Sequence, residues 1–446
     1  MSDLPEFTVD VDQNPYLPAG GREMHAVVTV RSRGAGGAAP GPAAGAVEIV
    51  IVDASGSMGY GGRLPAAVRA AEAAVGALRD GVRFAVIAGA TRPTMVYPRE
   101  RTLAEAGPAT RRAAAEAVGK LDAYGGTAIG SWLRLAADLA KEHAGAVRHT
   151  ILLTDGKNQH EDAAALDAAL EYCAGAFVCD ALGVGTDWEV AELRKISTAL
   201  LGGFLDVPEP AGLAARFRDL AEDAMGKEVA DVRLRVWTPQ HAELVFLKQM
   251  VPAVDDLTGR RDPSGPRTGD YPLGSWGTED REYHLCVRVR PGDVGRQMRA
   301  AWVKLLAPDG TELAAGDVLA EWTEDEAKST RISARVAHHT GQSELADAIR
   351  EGLEARRLGD EDAATARLGR AVVLARRVGN DRIAGLLDRV VDVIDAESGT
   401  VRLKKGVSKA DEISLDTRSV RTVRTRPGAP GDPAGEPADD RDEEGE

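Results

Sequence analysis

The sequence predicts an α/β unit with a doubly wound parallel sheet, inserted in an antiparallel β-sandwich and followed by a small α-helical region and a disordered tail. Three observations support this prediction. Between residues 46 and 226, short apolar runs alternate with alanine-rich helical segments, as in a parallel sheet that is covered by helices on both faces. On both sides of that region apolar and polar residues alternate, which is typical of half-buried strands. The last residues are rich in Pro, Gly, Asp and Glu, a composition typical of disorder.

The N-terminal segment, residues 1–34, contains two alternating stretches. Apolar residues take every second position from Phe7 to Val11 and from Met24 to Val30, which predicts two strands. Because an isolated hairpin is marginal in water, we expect these strands to complete the sandwich predicted at 228–340. The α/β unit is then an insertion within that sandwich. Residues 34–45, rich in Gly, Ala and Pro, are predicted to be a linker.

The α/β unit is predicted element by element from this pattern. The expected strands are 47–52, 84–88, 149–153, 177–182 and 204–207, and the expected helices lie near 64–79, 110–121, 128–143, 162–173, 189–200 and 211–225. Ligands bind such sheets outside the carboxyl ends of the strands, so that edge is where a site is expected.

The C-terminal part is predicted to be helical and then disordered. Apolar residues recur at helical spacing through 342–396 and predict three helices. Residues 397–446 are first basic and then acidic, and we expect them to be a charged, largely disordered tail. Eight acidic residues and one arginine lie between Pro427 and Glu446.

Composition excludes several function classes. The net charge of −15 over 446 residues argues against a general nucleic-acid binder, which would need a basic face. The sequence has no run of about 18 apolar residues, so no membrane helix is expected. The N-terminus lacks the basic and apolar segments of a signal peptide, and we therefore expect a cytoplasmic protein. The cysteines, Cys173, Cys179 and Cys286, are odd in number and predicted to be buried reduced thiols.

Three separate segments offer oxygen ligands at strand ends. Asp53, Ser55 and Ser57 follow the first apolar strand, and Gly56 between them permits a tight turn. Thr127 follows a pair of glycines, and Asp155 ends another apolar strand. Oxygen ligands from three loops suit Mg²⁺ or Mn²⁺, which prefer octahedral oxygen coordination.

These motifs resemble the metal-ion-dependent adhesion site of the von Willebrand factor A family. The resemblance covers roughly residues 46 to 226, and all five ligand positions are present: Asp53, Ser55, Ser57, Thr127 and Asp155. It implies a non-enzymatic binding module whose Mg²⁺ keeps one position open for an Asp or Glu of a protein partner. In bacterial relatives of this type, strands precede and follow the domain. A domain that keeps the fold but has lost the metal is the alternative.

The sequence also bears on three other functions. An accessory subunit of a MoxR-type or metal-chelatase ATPase complex is the main alternative, although the sequence has no phosphate-binding Gly-x-x-x-x-Gly-Lys-Ser/Thr motif of its own. A surface adhesin disagrees with the absence of an export signal. A hydrolase is least favoured, because no general base is placed beside Ser55 or Ser57 and the Gly-x-Ser-x-Gly elbow is absent.

Weaker signals lie elsewhere in the chain. Thr417, Thr422 and Thr425 are interleaved with arginines and form candidate phosphorylation sites for a kinase, to be read by a phosphothreonine-binding domain; a solvated linker is the simpler interpretation. Three histidines are interpreted as surface residues and two tryptophans as packing residues: His160, His338, His339, Trp132 and Trp188.

Overall fold

The computed structural model describes residues 5–34 and 45–421. Three strands come first: β1 (Glu6–Gln13), β2 (Tyr16–Pro18) and β3 (Glu23–Arg33). The predicted linker lies almost entirely outside the described residues.

The α/β unit follows β3. Its elements are β4 (Ala46–Asp53), α1 (Arg63–Ala77), β5 (Arg83–Gly89), β6 (Thr94–Tyr97), β7 (Ala104–Glu105), α2 (Pro108–Val118), α3 (Ile129–Lys141), β8 (Val147–Thr154), α4 (Ala163–Cys173), β9 (Val178–Val184), α5 (Val190–Ala199), β10 (Phe204–Val207) and α6 (Leu213–Met225). Strands β10, β9, β8, β4 and β5 are parallel neighbours in that order. The parallel sheet and its helices are as predicted. Strands β6 and β7, antiparallel to β5, were missed because four and two residues are too few to show a period.

Helices cover both faces of this sheet. Helices α3, α4 and α5 share one apolar core with it, and α1, α2 and α6 share the other. All eight residues of β4 are buried, which explains its continuous apolar sequence. Trp132 on α3 and Trp188 before α5 are fully buried, so both are packing residues as interpreted from the sequence.

A buried charged triad crosses three neighbouring strands of the sheet. The Nδ1 atom of His149 on β8 lies 2.9 Å from Glu48 Oε2 on β4, and its Nε2 lies 3.0 Å from Asp180 Oδ2 on β9. Burial alone would lower the pKa of His149, but the two carboxylates outweigh burial and raise it to about 10. A charged imidazole therefore lies between the two carboxylates and offsets one of their negative charges. Burial still raises the pKa of Glu48, whereas His149 helps to lower that of Asp180.

The sandwich is built from both ends of the chain. After α6 come β11 (Lys227–Trp237), β12 (Ala242–Val251), β13 (Asp255–Asp256), β14 (Asp262–Gly265), β15 (Thr268–Gly277), β16 (Asp280–Val289), β17 (Gln297–Leu306) and β18 (Glu312–Thr323). One sheet has the order β1-β3-β16-β12-β13 and the other β14-β15-β11-β17-β18-β2. The N-terminal strands thus join both sheets, and the α/β unit is inserted between strands of the sandwich, as predicted.

Glu279 joins the end of the α/β unit to the sandwich. Its Oε1 accepts hydrogen bonds from Lys227 Nζ and Arg281 Nη2, each at 2.9 Å, and from the Gly277 amide at 3.2 Å. Lys227 begins β11 and is separated from the end of α6 by Gly226 alone. Burial raises the pKa of Glu279, but the two cations outweigh burial and lower it to about 2.

We expect Glu279→Gln to lower the free energy of unfolding by about 2–3 kcal/mol near neutral pH, since the partly buried Lys227 and Arg281 lose their counter-charge. A carboxyl whose folded-state pKa is depressed stabilises the protein above its unfolded pKa of 4.5. That contribution is lost as the pH falls toward about 2. In urea unfolding, the difference in unfolding free energy between wild type and variant should therefore become smaller below about pH 5. Glu312→Gln, which removes a half-exposed partner of Lys304, is the control with little effect. If the difference in unfolding free energy between wild type and Glu279→Gln does not change with pH, Glu279 is not the counter-charge of Lys227 and Arg281.

The C-terminal region contains α7 (Glu326–Ser329), α8 (Ala334–Arg357), α9 (Glu361–Arg377), α10 (Asp381–Val390), β19 (Val391–Asp395), β20 (Thr400–Leu403) and α11 (Lys409–Ser419). The helical region begins before residue 342, because Ser333 caps α8 through its hydroxyl. The third predicted helix ends at Val390 instead of near 396, since the β-branched residues after it form a hairpin with β20. None of the helices in the described ranges is long and apolar enough to span a bilayer.

The prediction of disorder from residue 397 is wrong for residues up to 421. Helix α11 packs between the C-terminal helices and the α/β unit. Leu415 is buried in the apolar core of those helices, and Ile413 is buried in a core of the α/β unit. Ser414 Oγ donates to Asp206 Oδ2 at 2.8 Å. Asp416 accepts from Arg194 on α5 and from Arg357 on α8. The charges that suggested a solvated tail are therefore balanced by partners in two other parts of the fold. Residues 422–446, with the rest of the predicted tail, lie outside the described residues.

Candidate metal centre

The predicted ligands converge at the carboxyl ends of two adjacent parallel strands. Strand β4 ends at Asp53, and its neighbour β8 ends at Thr154, so Asp155 emerges beside the Asp53–Ser57 loop. A short 3₁₀ helix, Gly56–Gly59, then turns the chain toward α1. The third segment, with Thr127, lies between α2 and α3.

Both carboxylate oxygens of Asp53 accept a hydrogen bond. Oδ1 accepts from the Ser55 amide at 2.8 Å, and Oδ2 accepts from Thr154 Oγ1 at 2.6 Å. The side chain is buried, and burial raises its pKa to about 6 in spite of these hydrogen bonds. A buried carboxylate in this position is one that a cation would stabilise.

The hydroxyls and the second carboxylate form a continuous set of contacts. Ser55 Oγ lies 3.0 Å from Ser57 Oγ, and Ser57 Oγ donates to Asp155 Oδ1 at 2.7 Å. A methyl group placed on Gly156 would be 3.7 Å from both Ser57 Oγ and Thr127 Oγ1. The structure therefore brings all five predicted ligands, Asp53 included, to one small region.

Backbone contacts position the glycine-rich loop against the first one. The Gly56 amide donates to the Gly125 carbonyl at 3.0 Å, and the Tyr124 amide donates to the Ala54 carbonyl at 2.7 Å. Gly125 has φ +69°, a left-handed conformation that favours glycine. On the other side, the Thr127 amide donates to His160 Nδ1 at 3.0 Å. His160 is exposed, as interpreted from the sequence, but it also helps to place Thr127.

Arg63 is a site residue that the sequence analysis missed. It is the first residue of α1, and its Nη1 donates to Asp155 Oδ2 at 2.6 Å while Nη2 donates to Asp187 Oδ2 at 2.8 Å. The outer oxygen of Asp155 is thereby occupied, and its inner oxygen stays directed at Ser57. An arginine at the start of an amphipathic helix has no sequence feature that separates it from an ordinary surface arginine.

The donor set fits a hard divalent cation. It offers three neutral hydroxyls and two carboxylates, a set that suits Mg²⁺ or Mn²⁺ better than softer metals. Asp53, Ser55, Thr127 and Asp155 are buried, whereas Ser57 is exposed, so the cluster opens to solvent on one side.

Other predicted residues lie away from this centre. Thr417 on α11 is fully buried, which contradicts its prediction as a phosphorylation site in the folded protein; Thr422 and Thr425 lie outside the described residues. His338 is partly buried. His339 is buried beside Glu282, with Nε2 at 2.5 Å from Oε2, so its interpretation as a surface residue is wrong. The three cysteines are buried and free, as predicted.

The parallel sheet, its covering helices and the polar loops at its strand ends together define an α/β domain of the von Willebrand factor A type, carried on a split β-sandwich. The description "von Willebrand factor type A domain" matches residues 47–205, and "von Willebrand factor type A C-terminal domain" matches residues 373–419. A solved von Willebrand factor type A protein from Catenulispora acidiphila is 46% identical, with a TM-score of 0.90 over 95% of this chain and 98% of that one. The chain belongs to the von Willebrand factor type A family.

Two other relatives are more distant. An uncharacterised Synechocystis protein is 30% identical over 219 residues, a match that spans 47% of this chain and 49% of that protein. The ArnB paralog VWA2 from Sulfolobus acidocaldarius is 13% identical, with a TM-score of 0.55 over 93% of this chain and 98% of that one, a likeness of fold alone.

Proposed function

We propose that Asp53, Ser55, Ser57, Thr127 and Asp155 hold Mg²⁺ or Mn²⁺, and that the ion docks a carboxylate of a protein partner. The observation that carries the proposal is the set of contacts from Ser55 through Ser57 to Asp155, which assembles oxygen ligands from separate loops at an opening to solvent. Proteins of this family are in general non-enzymatic interaction modules, which agrees with such a role.

Charge balance supports an incoming carboxylate. A divalent ion would contribute two positive charges and Arg63 one, against the two negative charges of Asp53 and Asp155. Asp187, which is largely exposed, offsets part of the Arg63 charge from the solvent side, so the loaded site would be neutral to weakly positive. Its metal would lie at a partly buried position, where attraction to an anion is stronger than in bulk water. In this proposal Arg63 has two effects, since it orients Asp155 and keeps the loaded site from becoming negative.

The rim of the site suits a protein partner. Tyr60, just after the 3₁₀ helix, is 76% exposed, and Tyr124, just before the glycine pair, is 49% exposed. Exposed tyrosines are common anchors in protein interfaces, because a large ring can be buried while its hydroxyl stays solvated. We propose that these two side chains pack against the residues flanking the partner's carboxylate.

The metal site is tested by calorimetric titration with Mg²⁺ and Mn²⁺. Wild type should bind one ion per chain and Asp53→Ala should bind none. Asp187→Ala is the matched control: it removes one nearby carboxylate that is largely exposed and contacts only the outer side of Arg63, so it should retain binding. Equal affinity in wild type and Asp53→Ala would refute the site.

The docking role is tested by recovering partners with wild type and Asp53→Ala, each in Mg²⁺ and in EDTA. A partner that is lost both in EDTA and with the variant supports docking through the metal. The same partners under all conditions would contradict it. Recovery of a ring ATPase as the metal-dependent partner would favour the accessory-subunit role over a general scaffold.

A further inference from the structure

A second cluster of side chains suited to a metal ion lies on the sandwich, outside the α/β unit that carries Asp53 and Asp155. Strands β3 and β16 are antiparallel neighbours in which His25 pairs directly with Cys286, and Glu23 pairs with Arg288. Met24 and Val287, which alternate with these residues, face the sandwich core. Glu23, His25 and Cys286 therefore share the outer face of the sheet, and their ligand atoms all lie within 4.8 Å of one another.

The spacing matches a tetrahedral zinc ion. His25 Nε2 lies 3.8 Å from Cys286 Sγ. Zn–N bonds of about 2.0–2.1 Å and a Zn–S bond of about 2.3 Å at a tetrahedral angle place nitrogen and sulfur about 3.6 Å apart. The two atoms are thus already close to the separation that a shared ion requires.

A second histidine orients the first. His25 Nδ1 lies 3.2 Å from His284 Nε2, and the ring of Phe246 packs edge-on against His284 at 5.0 Å between centroids. When His25 Nδ1–H donates to His284, His25 Nε2 is left with a free lone pair directed toward Cys286, the arrangement found around metal-binding histidines.

We propose that Glu23, His25 and Cys286 form a zinc site, with the fourth position open to water. Thiolate, imidazole and carboxylate together favour Zn²⁺ over Mg²⁺. As the Zn–S bond forms, the Cys286 thiol releases its proton to solvent and no electron is transferred, so the two anionic ligands balance the charge of the ion. Glu23 gives up only a half-exposed ion pair with Arg288, which contributes little in water.

The site would connect the two halves of the split sandwich. His25 and Cys286 are 261 residues apart in sequence, because the whole α/β unit lies between them. An ion bound to both would cross-link the N-terminal strand β3 to β16 in the folded state only. Zinc is therefore expected to raise the melting temperature, since a ligand that binds only the folded protein stabilises it.

Cobalt substitution tests the proposal independently of the adhesion-type site. Co²⁺ bound to a thiolate shows a sulfur-to-metal charge-transfer absorption, which a site made of oxygen ligands cannot produce. We expect wild type and Asp53→Ala to show this band with one Co²⁺ at the cysteine site. Cys286→Ser should lose it, and His25→Gln should weaken binding roughly 100-fold. Cys173→Ser, which removes a buried thiol in the α/β unit, is the matched control that keeps the band.

A second readout covers the case in which Cys286→Ser folds poorly. Zinc should raise the melting temperature of wild type but not of His25→Gln, whose side chain is only partly buried. No charge-transfer band in wild type, or a band that persists in a folded Cys286→Ser, would overturn the proposal. If the zinc proposal is refuted, the proposal for the Mg²⁺ or Mn²⁺ site is not affected, because the two sites share no residue.

Discussion

Replacement of His149 by glutamine is expected to lower the free energy of unfolding by about 3–5 kcal/mol, the range observed when one partner of a buried ion pair is removed. Glutamine is similar in size, so the loss comes from charge and not from a cavity. Glu48 and Asp180 would remain on β4 and β9 without the cation between them. Urea or thermal unfolding measured on the α/β unit's transition provides the check.

The same triad predicts a pH dependence for the wild type. A histidine whose folded-state pKa lies above its unfolded value of 6.5 stabilises the protein fully below about pH 6.5. That contribution falls as the pH rises toward about 10, so wild-type stability should decline across this window. His143→Gln, a change at the partly exposed end of α3, should cost less than about 0.5 kcal/mol. A His149→Gln variant as stable as that control would show that His149 is not the counter-charge of the two carboxylates.

Replacement of Thr127 by valine is expected to weaken Mg²⁺ and Mn²⁺ binding by about 100-fold or more, because loss of an outer-shell partner already costs about 10–100-fold and Thr127 is proposed as a direct ligand. Valine keeps the branched shape and leaves the Thr127 amide free to donate to His160, so the loop should keep its position. The variant removes only the hydroxyl that the proposed ion would use. Calorimetric titration gives the affinity, and the melting temperature without metal gives the effect on the fold.

Thr150→Val is the matched control for that experiment. Thr150 lies on β8, is fully buried, and its hydroxyl has no hydrogen-bond partner within the described ranges. Its replacement should leave metal affinity unchanged and stabilise the protein by up to about 1 kcal/mol, because an unpaired buried hydroxyl is removed. Unchanged affinity in Thr127→Val would exclude Thr127 as a ligand.

Much of the α/β unit follows from local patterns. Its five parallel strands and six helices were predicted within a few residues, since buried strands are continuously apolar and their connecting helices are amphipathic. The five candidate ligands could be named from the sequence, because they lie at or just after the end of a buried strand or directly after a glycine pair. The missed elements were either very short, such as β6 and β7, or stabilised by distant contacts, such as α11.

Sequence alone determined the fold class, the insertion of the α/β unit and the placement of the polar residues Asp53, Ser55, Ser57, Thr127 and Asp155 in the loops beside the sheet, because hydrophobic period and turn residues act within one element. Only the tertiary structure decided that Arg63 contacts Asp155, that His149 lies between Glu48 and Asp180, and that α11 docks on the α/β unit. The physical reason is that a charged side chain shows its sign in the sequence but not its partner. Pairing depends on which elements the fold brings together, and most of these partners are 30 to over 200 residues apart.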